Sequence, residues 1–198
     1  LTLYGLPICW NENNQMSADL IHIYIKNQTV DHMHGIGSGL MVKQDGQNEY
    51  NQMAGKEILA YIRDEDVYLV DVQGNAETVF YPVEDDGSYI GVNRTQSSFV
   101  KVYLQDRKID YVLFTTSTTG VMIPLDQALP EETKLNGFFW AEYERPRQAA
   151  DIFLHPERTK RPEAKAISAS AEEDEEEEEP TQGKRKKNQI NRNVKQNR

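Results

Sequence analysis

The chain has 198 residues, of which 38% are hydrophobic and 27% charged, and its formal net charge is -10. That length allows one medium domain and makes two full-sized ones improbable; no apolar run approaches the roughly 18 residues of a spanning helix. Residues 172–198 hold 8 acids and 7 bases, leaving 24 acids and 15 bases for residues 1–171, so the body is itself acidic and its field has the wrong sign for a nucleic-acid backbone.

In chain order, the first clear signal is alternation. Ile21, Ile23 and Ile25 alternate with His22 and Tyr24, the two-residue rhythm of a strand. Ile58, Ala60 and Ile62 repeat that rhythm, and so do Val100, Val102 and Leu104. These nine residues are the predicted inward faces, and plain core packing among them is the simplest role. Helical spacing is nowhere sustained, and only 125–134 and 147–153 are predicted as short helices.

The alternating segments belong to a repeat. Residues 16–42 lie over 53–79 at an offset of 37, matching Tyr24 with Tyr61, Ile25 with Ile62, Val30 with Val67 and Gly37 with Gly74. A third copy, 96–121, follows at a further offset of 42, with Tyr103 on Tyr61, Leu104 on Ile62 and Ile109 on Val67. Each unit reads as a strand, a polar turn and a second strand. The turns are Lys26-Asn27-Gln28-Thr29, Arg63-Asp64-Glu65-Asp66 and Gln105-Asp106-Arg107-Lys108, where Asn and Asp favour local hydrogen bonds. Beyond each turn the apolar residues stand three apart, as in Val30 and Met33, Val67 and Val70, Ile109 and Val112. A β-bulge at one equivalent place per unit restores the inward face, and the units are expected to stack along one axis.

Other features carry little chemistry. His32 and His34 share a strand face, and His22 lies nearby, but their repeat equivalents include Leu59, Lys101, Leu69 and Tyr111, which argues against a metal site. Gly35-Ile36-Gly37-Ser38-Gly39 lacks the Lys and helix of a phosphate loop and is predicted as a turn or a tight strand approach. The hydroxyl cluster 115–119 has no histidine beside it in sequence for nucleophile activation. Asp64-Glu65-Asp66 and Glu84-Asp85-Asp86 sit in predicted turns as solvated acids rather than facing carboxylates. Cys9 lies in an apolar context that suits an inert thiol. Residues 156–198, acidic and then basic, are predicted to be a disordered tail.

Gly5-Leu6-Pro7 with Trp10, followed by Met16-Ser17-Ala18-Asp19, resembles the start of a repeat block in the OstA-like family of lipopolysaccharide-transport proteins, the LptA type. Residues 50–56 and 72–76 resemble its later repeats, and 138–140 with Arg145-Pro146 and 151–153 resembles the closing segment of Bacteroidetes-type members. The resemblance spans about residues 1–155 and implies an all-β, slot-like antiparallel jelly roll, here the C-terminal part of a longer chain. It implies a periplasmic, non-enzymatic carrier or bridge component, without a cofactor, that shields lipopolysaccharide acyl chains in a groove. On that view the nine inward residues named above line the groove. Implied partners are lipopolysaccharide and other jelly-roll transport proteins or further copies, joined end to end through unpaired edge strands. The alternative is an adaptor module with a filled interior that binds proteins at its edges. Residues 135–143, with four aromatics, are expected to cover or present the last edge.

Overall fold

The computed structural model describes residues 1–148, 150 and 151. Ten strands make one antiparallel sheet that does not close: β1 (Thr2–Leu3), β2 (Ile8–Asn11), β3 (Asn14–Ser17), β4 (Leu20–Lys26), β5 (Thr29–Gln44), β6 (Tyr50–Arg63), β7 (Asp66–Phe80), β8 (Val92–Gln105), β9 (Lys108–Thr115) and β10 (Thr119–Ile123). The fold is all-β, as expected. The predicted helix at 125–134 is a run of turns; Pro130 within it removes a donor and breaks helical continuation. Of 147–153, residues 149, 152 and 153 lie outside the described residues, as does the whole of the predicted tail. Among the described residues a 3-10 turn spans Glu142–Glu144.

The three predicted turns are two-residue hairpins with both central residues at positive φ: Asn27 and Gln28, Asp64 and Glu65, Asp106 and Arg107. This conformation matches the right-handed twist of the flanking strands. The predicted bulges are present as well. Register slips between Tyr24 and Ile25, Tyr61 and Ile62, and Tyr103 and Leu104, leaving Asp31, Tyr68 and Asp110 as the extra residues. Those three positions are related by the repeat offsets, so each coil carries the same irregularity.

A second irregularity bends the long strands in two. β5 carries Gly37 and Ser38 at φ 75° and 46°, and β7 carries Gly74 and Asn75 at 76° and 53°. The third repeat has Thr116 and Ser117 at 66° and 51° between β9 and β10. The ladder skips at the first two of these points. The glycine run 35–39 is therefore a mid-strand corner within β5 rather than a turn, and it makes the tight strand approach also expected there, since a Cβ on Gly39 would stand 2.9 Å from the Ile58 side chain. Gly5 and Leu6, at 79° and 56°, form the same kind of corner between β1 and β2.

The corners divide the sheet into two layers joined along a crease. The first layer comprises β1, β4, β5 to Ile36, β6 from Glu57, β7 to Gln73, β8 from Phe99 and β9; the second comprises β2, β3, the remaining halves and β10. The layers face each other across a shared apolar cluster in which Met16 and Met41 of the second meet Ile58 and Val70 of the first. At the crease backbones approach so closely that a Cβ on Gly55 would stand 2.6 Å from the Val72 side chain. Absence of a side chain is a packing requirement there.

The two outer faces are treated differently. Among the described residues no segment covers the first layer's, which carries an aromatic row: Tyr24 stacks on His32 at 4.1 Å between ring centroids, His32 on Tyr61 at 5.5 Å, and Tyr103 on Tyr111 at 4.3 Å. Cross-strand pairs of this kind stabilise the sheet and hold its register. The second layer's outer face is covered by residues 131–141, with Phe138, Phe139 and Ala141 packed on Leu40 and Val42, and Leu135 on Val79 and Val92. The aromatic segment thus covers a sheet face rather than an edge, because its rings find apolar partners only on that face.

Three repeat-equivalent residues hold this strap. Gln15 donates to Phe139 O at 3.0 Å and accepts from Ala141 N at 2.8 Å. Gln52 donates to Thr133 O at 2.9 Å and accepts from Leu135 N at 2.8 Å. Arg94 donates to Glu131 O and Lys134 O at 3.1 and 2.9 Å. Both glutamine side chains are buried, so these bonds satisfy groups that are costly to leave unpaired.

Candidate functional site

Between the layers the inward side chains of the first layer form three rows, set by the register. Nearest the crease are Ile21, Ile58, Val72 and Val100, all without solvent exposure. The middle row holds Ile23, Met33, Ala60, Val70, Val102 and Val112. The outermost row, at the hairpin tips, pairs Ile25 with Val30, Ile62 with Val67 and Leu104 with Ile109.

The nine predicted lining residues therefore share one face but not one environment. Ile21, Ile58, Ala60, Val100 and Val102 are buried in the shared core, Ile23 and Leu104 are half-buried against it, and Ile25 is 60% exposed at the β4–β5 tip. Ile62 lines an open groove. The structure brings the first seven into one cluster and leaves Ile25 at its rim. Near the crease the interior is filled by side chains, and toward the tips it opens.

Two cavities occupy the open part. A groove of about 1040 Å³ lies on the β4–β6 side, where Trp10, Ile23, Met33 and Ile62 share the lining with polar turn residues such as Lys26, Asp31, Arg63 and Glu65. A smaller cavity of about 330 Å³ lies on the other side, with Met41, Met53, Val67, Val70, Leu104 and Ile109 forming its apolar lining. Asn11 and Glu12, at the β2–β3 tip, border both.

The wall contributed by the second layer was not foreseen. Of the five methionines in the chain, Met16 belongs to the shared core, Met41 and Met53 line the smaller cavity, and Met33 lines the larger. Unbranched thioether side chains fill irregular space and adjust to a changing neighbour. The repeat offset already places Met16 on Met53, which is the signal that could have found them.

Across the mouth runs an ion-paired bridge. Arg107, in the β8–β9 turn, donates through Nε to Asp66 of the β6–β7 turn and through Nη1 to Glu12 of the β2–β3 turn, each at 2.7 Å. Asp66 is in the first layer and Glu12 in the second. Among the described residues this is the ion pair that ties the two sets of tips together. The hydrogen bond to Asp66, then the charges of Asp66 and Glu12, push the guanidinium pKa further up, so the cation is permanent.

The histidines serve the outer face: His22 bonds Thr2 at 2.9 Å, His32 bonds Asp31 at 2.8 Å and His34 bonds Glu57 at 2.8 Å. The acids at 64 and 65 are at a hairpin tip, as predicted. Cys9 packs against the shared core, and burial pushes its thiol up to about 11, which keeps it protonated and unreactive at neutral pH. Comparison of the chain with protein-family models, with curated proteins and with solved structures finds no match.

Proposed function

We propose that the protein is a non-enzymatic carrier or bridge component for an acylated lipid, with lipopolysaccharide as the cargo and the periplasm as the compartment. On this reading the two-layered sheet is an OstA-like jelly roll whose mouth receives acyl chains while sugars stay in water. One observation carries the reading. Apolar side chains of the first layer face inward along its strands, yet toward the hairpin tips they border open space together with polar turn residues, where a wholly structural core would be filled. Each guest methylene transferred there from water would contribute about 0.8 kcal/mol, so a few chains suffice without covalent chemistry.

The edges support the partner side of the same reading. Among the described residues β9 and β10 each pair only with β8, and Tyr111, Leu113, Val121 and Met122 on them are exposed. A free edge with apolar side chains can accept a strand from a second copy or from another jelly-roll protein.

The test is photo-crosslinking. A benzophenone side chain at Ile62 should label lipid A, one at outward-facing Lys101 should not, and one at Val102 should label weakly because that site is filled. Labelling at Lys101 alone, or none at Ile62 with lipid A in excess, rules the carrier reading out. Strand pairing at β9 without any lipid labelling would instead favour an adaptor.

A further inference from the structure

The smaller cavity has a feature that an acyl-chain groove does not require: a permanent cation at its rim. Met41, Met53, Val67, Val70, Leu104 and Ile109 supply an apolar wall, Asn13, Asn14 and Asn51 are among the polar residues that share the lining, and Arg107 borders it. Its volume of about 330 Å³ is a third of the neighbouring groove's, which suits it to a single unbranched chain.

The bridge over the cavity is built to exchange. Arg107 and Glu12 are 61% and 60% exposed, and ion pairs so open to water contribute little to stability. Asp66, on the neighbouring turn of the same layer, holds the guanidinium in place through Nε. Glu12 uses Nη1 and belongs to the opposite layer. Replacing Glu12 by another anion therefore keeps Arg107 positioned while it unties the two layers. A guanidinium has five N–H donors in a planar fork, suited to carboxylate or phosphate oxygens.

We propose that this cavity binds the tail of a single-chain anionic amphiphile, whose carboxylate or phosphate displaces Glu12 from Arg107. The proposal rests on the acyl-chain reading and adds to it a head-group contact and a one-chain limit. Lys43 also borders the cavity, but it is paired with Asp45 at 3.8 Å, so Arg107 is the rim cation that the head group meets.

The test uses the whole chain and three monomeric probes of equal tail, laurate, dodecyl phosphate and dodecanol, with affinity measured by calorimetry. Wild type should bind both anions at least tenfold more tightly than the alcohol. Arg107→Gln should weaken the anions by about tenfold, the worth of a charge-assisted hydrogen bond, with the loss falling on them and not on dodecanol. Glu12→Gln should strengthen the anions, because it removes the competitor. A bridge that matters only for holding the layers together predicts the same direction for both variants, and that outcome overturns the proposal. Equal binding of laurate and dodecanol by wild type also overturns it.

Ile109→Trp, with the melting curve checked, should exclude all three probes, and Val70→Trp serves as a second filling variant. Undiminished binding in folded filling variants places the tail elsewhere and sinks the assignment. If lipid A still labels Ile62 while laurate ignores Arg107, the head-group proposal fails alone. If neither lipid A nor any probe binds, both readings fail. Tighter binding of laurate than of dodecyl phosphate identifies a free fatty acid as the source of the anion, and the reverse order a phosphorylated lipid.

Discussion

The crease and the mouth are built from the same repeat and differ in what their inward residues can do. At the crease, Ile21, Ile58, Val72 and Val100 have no exposure and pack with Met16 and Ala76. Two rows away along the same strands, Ile62, Val67, Leu104 and Ile109 border open space. Residue type does not separate the two regions; distance from the corner does. Two layers hinged along one line must diverge, so aliphatic side chains that meet near the hinge no longer meet at the tips. A stacked repeat with a bend thus makes a core and a groove from one pattern.

The comparison breaks most readily at the crease. Ile58→Ala should cost ~2–5 kcal/mol, the range for a buried aliphatic truncated in a site that cannot collapse, read as a lower urea midpoint at unchanged m. A loss below ~1 kcal/mol would mean that the crease is as loosely packed as the mouth. Cys9 reports on the same region without altering it. With its thiol pushed up to about 11 from an ordinary value of 9.0, thiolate at pH 8 is scarcer by about a hundredfold. Alkylation by iodoacetamide should therefore be slower by at least that factor in the native protein than in urea.

A smaller effect is expected at the strap. Gln52→Leu removes a donor and an acceptor from Thr133 and Leu135 and leaves two backbone groups unpaired, which should cost ~1–3 kcal/mol. Hydrogen exchange at the Leu135 amide should rise with it; unchanged protection would show that aromatic packing alone seats the strap. The smallest change belongs to the mouth. Leu104→Ala should cost about 1 kcal/mol or less, since the side chain is only half-buried, yet should weaken laurate binding. A stability loss equal to that of Ile58→Ala would erase the distinction between the two ends.

Much of this architecture was legible in the sequence because it is local. The two-residue turns, the bulges at Asp31, Tyr68 and Asp110, and the shared inward face all follow from alternation and from offsets of 37 and 42. The corners were harder to see. Gly37-Ser38 looks like a turn, Gly74-Asn75 like another, and Thr116-Ser117 contains no glycine, so three copies of one bend have dissimilar sequences. Contacts between distant segments left no local pattern. Gln15 reaches residues 124 and 126 positions away, and Arg107 reaches Glu12 across 95. Nothing about an isolated glutamine or arginine indicates which backbone carbonyl or carboxylate it will meet.

The anchors of the strap set a rule for growth. Gln15, Gln52 and Arg94 occur once per coil, and each takes strap carbonyls of its own: Phe139, Thr133, and Glu131 with Lys134. Duplicating a coil would extend crease and groove by a whole turn with no change of register. The inserted coil would also bring its own anchor and another stretch of apolar outer surface. Unless the polypeptide after β10 lengthened in step, that surface would stay uncovered, so gene duplication in this architecture must draw its lining and its cladding from two separate insertions.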